Sequence, residues 1–167
     1  ALTNTFKVWN GPWTASGDEQ IQHLTAHAPE YAIDLTMTPT KPPAIHGNNG
    51  VSQKAEGLGR ASHYYSLTRM ATEGTLTIAG KRQPVTGSTW MDHEFGSSQL
   101  TESQVGWDWF AIKLEDGVEL MLYQLRLTDG SSDPHSSGSL IYPDGRVEHL
   151  PFNAFRLTPQ EVWQSPK

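Results

Sequence analysis

Trp90-Met91-Asp92-His93-Glu94-Phe95-Gly96 sets two acids and a histidine inside an otherwise apolar run, and Trp107-Asp108-Trp109-Phe110 sets another acid between two indoles. Ionisable groups on strands are costly unless paired or solvated, so such runs build either a site or a fixed polar network. Strand alternation sends Trp90, Asp92 and Glu94 to one face, with Met91, His93 and Phe95 on the other. If the first face lines a closed interior, two carboxyls share a small space. Desolvation and mutual repulsion would then keep one protonated near neutral pH, fit to act as a general acid. The alternative is an inter-strand salt bridge from Asp92 or Glu94 to Arg60, Arg69 or Arg126. Trp107 and Trp109 share a face and would form an aromatic wall for an apolar ligand or a cation, or else ordinary core. In His63-Tyr64-Tyr65-Ser66-Leu67-Thr68-Arg69, alternation groups His63, Tyr65, Leu67 and Arg69. There Tyr65 and Arg69 either orient a polar group of a ligand or brace the carboxylates, since a buried Arg must be paired.

Other chemistries find little support. The seven histidines form no HxH or HExxH arrangement, and His23 with His27 reads as part of an exposed strand, so no metal is expected. There is no GxSxG, and no base is placed by sequence beside Ser66. Cysteine is absent, which removes disulfides, thiolate catalysis and Cys-ligated zinc and leaves the compartment undetermined. No cofactor motif is found.

Period-two alternation must position these residues. Tyr31–Met37, Thr75–Ala79 and Val118–Leu127 read as strands, with turns at Glu73-Gly74, Ala79-Gly80-Lys81, Glu115-Asp116-Gly117, Asp129-Gly130 and Pro143-Asp144-Gly145. Asp-Gly pairs suit tight hairpins because glycine accepts positive φ. About ten short strands at close spacing predict an all-β meander, sandwich or barrel. Thr158-Pro159 is the one helix start, with Thr158 as cap. Pro39 to Arg60, rich in proline and glycine, reads as a lid, a binding loop or a disordered segment, and Ser97 to Val105 as a second polar loop. In a barrel both would sit at the mouth of a cavity.

The bulk numbers agree with a folded domain. Hydrophobic residues make up 36% of 167 and mean hydropathy is −0.52, so disorder is not expected. A formal charge of −6, with no basic cluster beyond Lys81-Arg82, argues against nucleic acid. No apolar run approaches the ~20 residues of a membrane span. The N-terminus lacks a signal-peptide pattern and reads as processed or trimmed.

Five segments in order carry a family resemblance: Lys41–Gly47, Tyr64–Arg69, Trp90–Gly96, Gly106–Phe110 and Glu119–Arg126. Together they resemble the AttH-like and carotenoid 1,2-hydratase family, often labelled predicted secreted hydrolases. The resemblance implies tandem lipocalin-like antiparallel β-barrels. On it, residues 1–97 are the C-terminal part of a first barrel and 98–167 the N-terminal part of a second. Family members are longer, and their Glu-Trp-Trp-Tyr opening strand is missing here, so the chain resembles their central part. A half-barrel exposes unpaired edges, and a second copy or a companion segment is expected to complete it.

The resemblance implies an extended apolar small-molecule ligand, an isoprenoid or lipid, with peripheral membrane association compatible with it and a bacterial envelope or secreted location. It also implies a cofactor-free hydratase. In that mechanism a protonated Asp92 donates to an alkene, Trp90, Trp107 and Trp109 stabilise the cation, and Glu94 or His93 deprotonates the incoming water. Tyr65, Arg69 and Tyr123 complete the ligand contacts. The alternatives are a non-catalytic carrier and a hydrolase, which rests on the family label.

Overall fold

The computed structural model describes residues 5–97, 100–161 and 163–166. Alternating patterns separated by glycine turns fold into twelve described strands. They are β1 (Phe6–Asn10), β2 (Trp13–Gly17), β3 (Gln22–His27), β4 (Ala32–Pro39), β5 (Ala44–Ile45) and β6 (Val51–Gln53), then β7 (Ala61–Ile78), β8 (Lys81–Phe95), β9 (Gln104–Lys113), β10 (Glu119–Leu127), β11 (Ser137–Ile141) and β12 (Val147–Leu150). The all-β class read from the sequence is what the chain adopts. One short 3₁₀ turn, Phe152–Ala154, is the helical element among the described residues.

Two antiparallel sheets result. The first runs β1-β2-β3-β4-β7, with β8 on the far side of β7, while β5 and β6 pair with the N-terminal half of β7. Its outer strands β1 and β8 do not pair with one another among the described residues, so this curled sheet stays open. The second sheet is the four-stranded β12-β11-β10-β9. The open edges carry exposed aromatics, with Trp9 72% and Trp107 58% accessible, an apolar surface larger than a lone exposed residue explains.

The core lies between the sheets. Ala44 and Tyr64 from the first meet Met121, Tyr123, Leu125 and Ile141 from the second, with Trp90, Leu100 and Val147 packed against them. A smaller cluster of Met37, Leu67 and Met70 belongs to the first sheet. Each fully buried aliphatic side chain here contributes about 1.5–3 kcal/mol.

A bulge in β7 decides what faces the second sheet. Leu67 pairs with Met91 and Met70 with Thr89, so β7 carries one extra residue across this step. A bulge breaks period two locally. Thr68 and Arg69 consequently both reach Glu119 on β10, Thr68 Oγ1 at 3.4 Å and Arg69 Nε at 2.5 Å. Strict alternation had grouped Arg69 with Tyr65. The bulge turns it to the opposite side.

Two other sequence expectations are corrected. Pro39 to Arg60 is no simple lid, because it contributes β5 and β6 and buries Ala44, His46, Ser52, Lys54 and Ala55. Gly47, at φ +65°, makes this inward turn possible, since a Cβ there would overlap the Val51 carbonyl oxygen. The helix expected from Thr158 does not form over the described residues 158–161, which are all exposed and so bury nothing that would offset the cost of nucleation. Val162 lies outside the described residues. His23 and His27 are exposed on β3, as expected.

Candidate functional site

β7 and β8 pair with Ser66 opposite Asp92 and Tyr64 opposite Glu94. Because neighbours across a ladder share a face, Ser62, Tyr64 and Ser66 lie with Trp90, Asp92 and Glu94 on the side that meets the second sheet. On that second sheet, Trp109 pairs with Tyr123 and Trp107 with Leu125. All four side chains face back across the gap. Between the sheets lies a partly open cleft of about 310 Å³ lined by Lys54, Tyr64, Glu94, Leu100, Trp107, Trp109, Tyr123 and Leu125.

One wall of the cleft is aromatic. Trp90 and Trp109 meet edge to face at 6.3 Å, a favoured arrangement for indoles. The Trp109 indole N–H donates to the Tyr64 hydroxyl at 3.0 Å, and Tyr64 in turn donates to Asp92 Oδ1 at 3.0 Å. Burial, and then the adjacent Asp92 carboxylate, push the Tyr64 hydroxyl far above its usual pKa, so it stays protonated as a donor. Trp90 Nε1 also donates to Asp92 Oδ1 at 3.0 Å, and so does the Ser66 hydroxyl. Oδ1 of Asp92 is thus filled by three donors.

Behind Asp92 runs a relay into the core. His46 Nε2 lies 2.7 Å from Ser66 Oγ, and His46 Nδ1 lies 2.9 Å from Ser139 Oγ on β11. Since Ser66 gives its proton to the carboxylate, Nε2 must donate to Ser66 and Nδ1 must accept from Ser139. The imidazole is 1% exposed. Burial, then the nearby Lys54 cation, lower its pKa to about 4 against an opposing pull from Glu94, so it is neutral at physiological pH. A serine beside a histidine invites comparison with a hydrolytic nucleophile. Here Ser66 is fully buried and committed to Asp92, out of reach of a substrate.

Lys54 forms the polar floor. Its ammonium sits 3.0 Å from Glu94 Oε1 and 3.7 Å above the centroid of the Tyr123 ring, a cation–π contact that holds a buried lysine against a partly exposed glutamate. Ser62 also donates to Glu94 Oε1, at 2.5 Å. Tyr123 is locked by hydroxyl contacts to Ser52 at 3.1 Å and Ser137 at 2.8 Å.

The structure therefore brings together Asp92, Glu94, Trp90, Trp107, Trp109 and Tyr123. Glu94, Trp107, Trp109 and Tyr123 line the cleft, while Asp92 reaches it through Tyr64. The expectation of Asp92 enclosed in an interior is corrected: in this chain it is an exposed residue on the outer strand β8. His93 and Tyr65 are on the opposite face, stacked with ring centroids 5.1 Å apart and joined through the Tyr65 hydroxyl and His93 Nδ1 at 3.2 Å. Arg69 is bound to Glu119 and to the Leu114 carbonyl oxygen. Of the arginines weighed as partners for the two acids, Arg126 lies 3.7 Å from Asp108, and the cation that pairs Glu94 is Lys54. Sequence reasoning passed over Lys54, His46, Ser62 and Tyr64. For the last two a signal existed, since Ser62, Tyr64, Ser66 and Thr68 make an alternating stripe of hydroxyl side chains on one strand.

A family model described as AttH-like matches residues 1–167. An AttH protein from Nitrosomonas europaea superposes with a TM-score of 0.89 at 28% identity, covering 96% of this chain and 50% of that one. Kievitone hydratase from Nectria haematococca superposes with a TM-score of 0.63 at 18% identity, over 79% of this chain and 40% of its own. At that identity the likeness is one of fold alone. No curated protein matches the chain. The chain spans 50% of the length of the solved AttH relative.

Proposed function

The chain belongs to the AttH-like family and has a lipocalin-like β fold, and from that premise and the cleft geometry we propose that it binds an extended apolar ligand, an isoprenoid or lipid. The observation that carries this reading is the cleft between the sheets, where Trp107, Trp109, Leu100 and Leu125 make an apolar wall over the Lys54–Glu94 pair. Such a pocket, an apolar and aromatic wall facing a few convergent polar groups, is a usual build of a small-molecule site. Full-length protein purified under native conditions and sprayed intact into a mass spectrometer should carry a co-purified apolar molecule. Trp107→Ala combined with Trp109→Ala should abolish that adduct. An unchanged adduct in the double variant would remove the cleft from the reading.

A second reading, addition of water to an alkene, is favoured by two carboxylates beside the indoles and by the kievitone hydratase name borne by a structural neighbour. A proton adds to one alkene carbon, water attacks the cation at the other, and the water then loses a proton, so no cofactor is consumed. In this reading Asp92 supplies the proton from Oδ2, which accepts no hydrogen bond from the described residues, and the ionised Glu94 takes the proton from water. Trp90, Trp107 and Trp109 stabilise the cation through their π-faces. Asp92→Asn in the full-length protein should abolish hydration of a polyene while the bound ligand is retained. Full turnover in that variant removes Asp92 from the mechanism. Bound but chemically unaltered ligand in the unsubstituted protein makes it a carrier.

A further inference from the structure

We infer that the floor of the cleft recognises an uncharged hydroxyl group at one end of the apolar ligand, so that the ligand class is an amphipathic alcohol. The inference rests on the apolar-ligand reading above and deepens it.

Lys54 and Glu94 both line the cleft and stand 3.0 Å apart. The Lys54 ammonium has more N–H donors than Glu94 Oε1 and the Tyr123 ring take up. Glu94 Oε1 is used by Lys54 and Ser62, whereas Glu94 Oε2 accepts no hydrogen bond from the described residues. A spare donor and a spare acceptor therefore lie side by side at the foot of an apolar wall. A hydroxyl oxygen is able to use both at once, accepting from Lys54 and donating to Glu94 Oε2.

Charge excludes the other common head groups. The pair is neutral as a unit, so it offers no net attraction to an ion. A carboxylate would lie against the Glu94 carboxylate and an ammonium against the Lys54 ammonium, and like charges set directly against one another are unfavourable. A pure hydrocarbon would cover the spare donor and acceptor without satisfying either. Sites that hydrogen-bond a ligand hydroxyl discriminate strongly against the analogue lacking it for that reason. The lysine side chain is 7% exposed, so its spare donor is reached from the cleft that it lines.

The test is a matched series on one carbon skeleton, titrated at pH 7.5 against the fluorescence of the cleft tryptophans: farnesol, farnesene, farnesoate and farnesylamine. Farnesol should bind tightest, with each of the other three weaker by at least about tenfold. Equal affinity for farnesol and farnesene overturns the hydroxyl inference and leaves apolar binding standing. Tightest binding of farnesoate or farnesylamine overturns it as well. Absence of binding by all four defeats the apolar-ligand reading and this inference with it. Glu94→Gln sharpens the result, because it leaves the Lys54 charge uncompensated. Farnesoate affinity should then rise by about tenfold or more, and an unchanged farnesoate affinity counts against the assignment.

Discussion

Two acid centres lie where the sheets meet, one buried and one exposed, and they are built on opposite plans. Glu119 on β10 is fully buried, with Lys41 Nζ at 2.5 Å on one oxygen and Arg69 Nε at 2.5 Å on the other. Lys41 also donates to the carbonyl oxygens of Gly117 and Tyr142. Nothing there is left open to a ligand. The Asp92–Glu94 centre, on β8 of the first sheet, keeps one oxygen of each carboxylate unbonded among the described residues, beside three indoles and a cleft. The first acid is a brace and the second is a candidate site. The difference lies in saturation: charge enclosed by its partners holds two sheets together, whereas charge with spare valence at a cavity is available to something else.

Breaking the brace should have the largest effect. Glu119→Ala leaves two cations without their shared partner, and unfolding by urea should show a loss of about 3–5 kcal/mol. The same variant should bind cleft ligands normally wherever it remains folded. Equal loss of ligand binding in the folded fraction would mean the two centres are one unit.

The next effect belongs to pH. His46 has a native pKa of about 4, below its ordinary 6.5, so between these values the unfolded chain binds a proton that the native state refuses. Stability is complete above pH 6.5 and falls as the pH drops toward 4, by up to about 3 kcal/mol. Urea midpoints measured from pH 7 to pH 4 should show this slope, and His46→Gln should flatten it. A histidine NMR titration that finds His46 with a midpoint near 6.5 would sink the buried relay.

Smaller still, Trp109→Phe removes the indole donor to Tyr64 and part of the wall. Ligand affinity should weaken by about tenfold, near 1.4 kcal/mol, read by calorimetric titration. Least of all, Tyr65→Phe deletes a hydroxyl on the far face of β7 and should change stability and affinity by under about 0.5 kcal/mol. A larger effect on affinity would return Tyr65 to the site and weaken the contrast between faces.

How much of this the sequence disclosed follows from particular residues. Trp90, Asp92 and Glu94 are separable from Met91, His93 and Phe95 by alternation alone, and the folded sheet keeps that separation. Trp107 and Trp109 were likewise assigned a shared face, and both line the cleft. Arg69 was misgrouped because one extra residue in β7 reversed the faces beyond Leu67, and no turn residue marks that bulge. Lys54 and His46 were hidden in a glycine-rich stretch with no period, where sequence carries no direction for a side chain. The partners that give them meaning, Glu94 and Ser139, are far away along the chain.

The sequence by itself determined an all-β chain, the faces of its regular strands and the residues able to do chemistry, because strand geometry is local and repeats every second residue. Only the tertiary structure decided which acid is enclosed and which is open. That choice depends on what the second sheet and the buried loop bring against each carboxylate, and those contacts join residues that no local pattern connects.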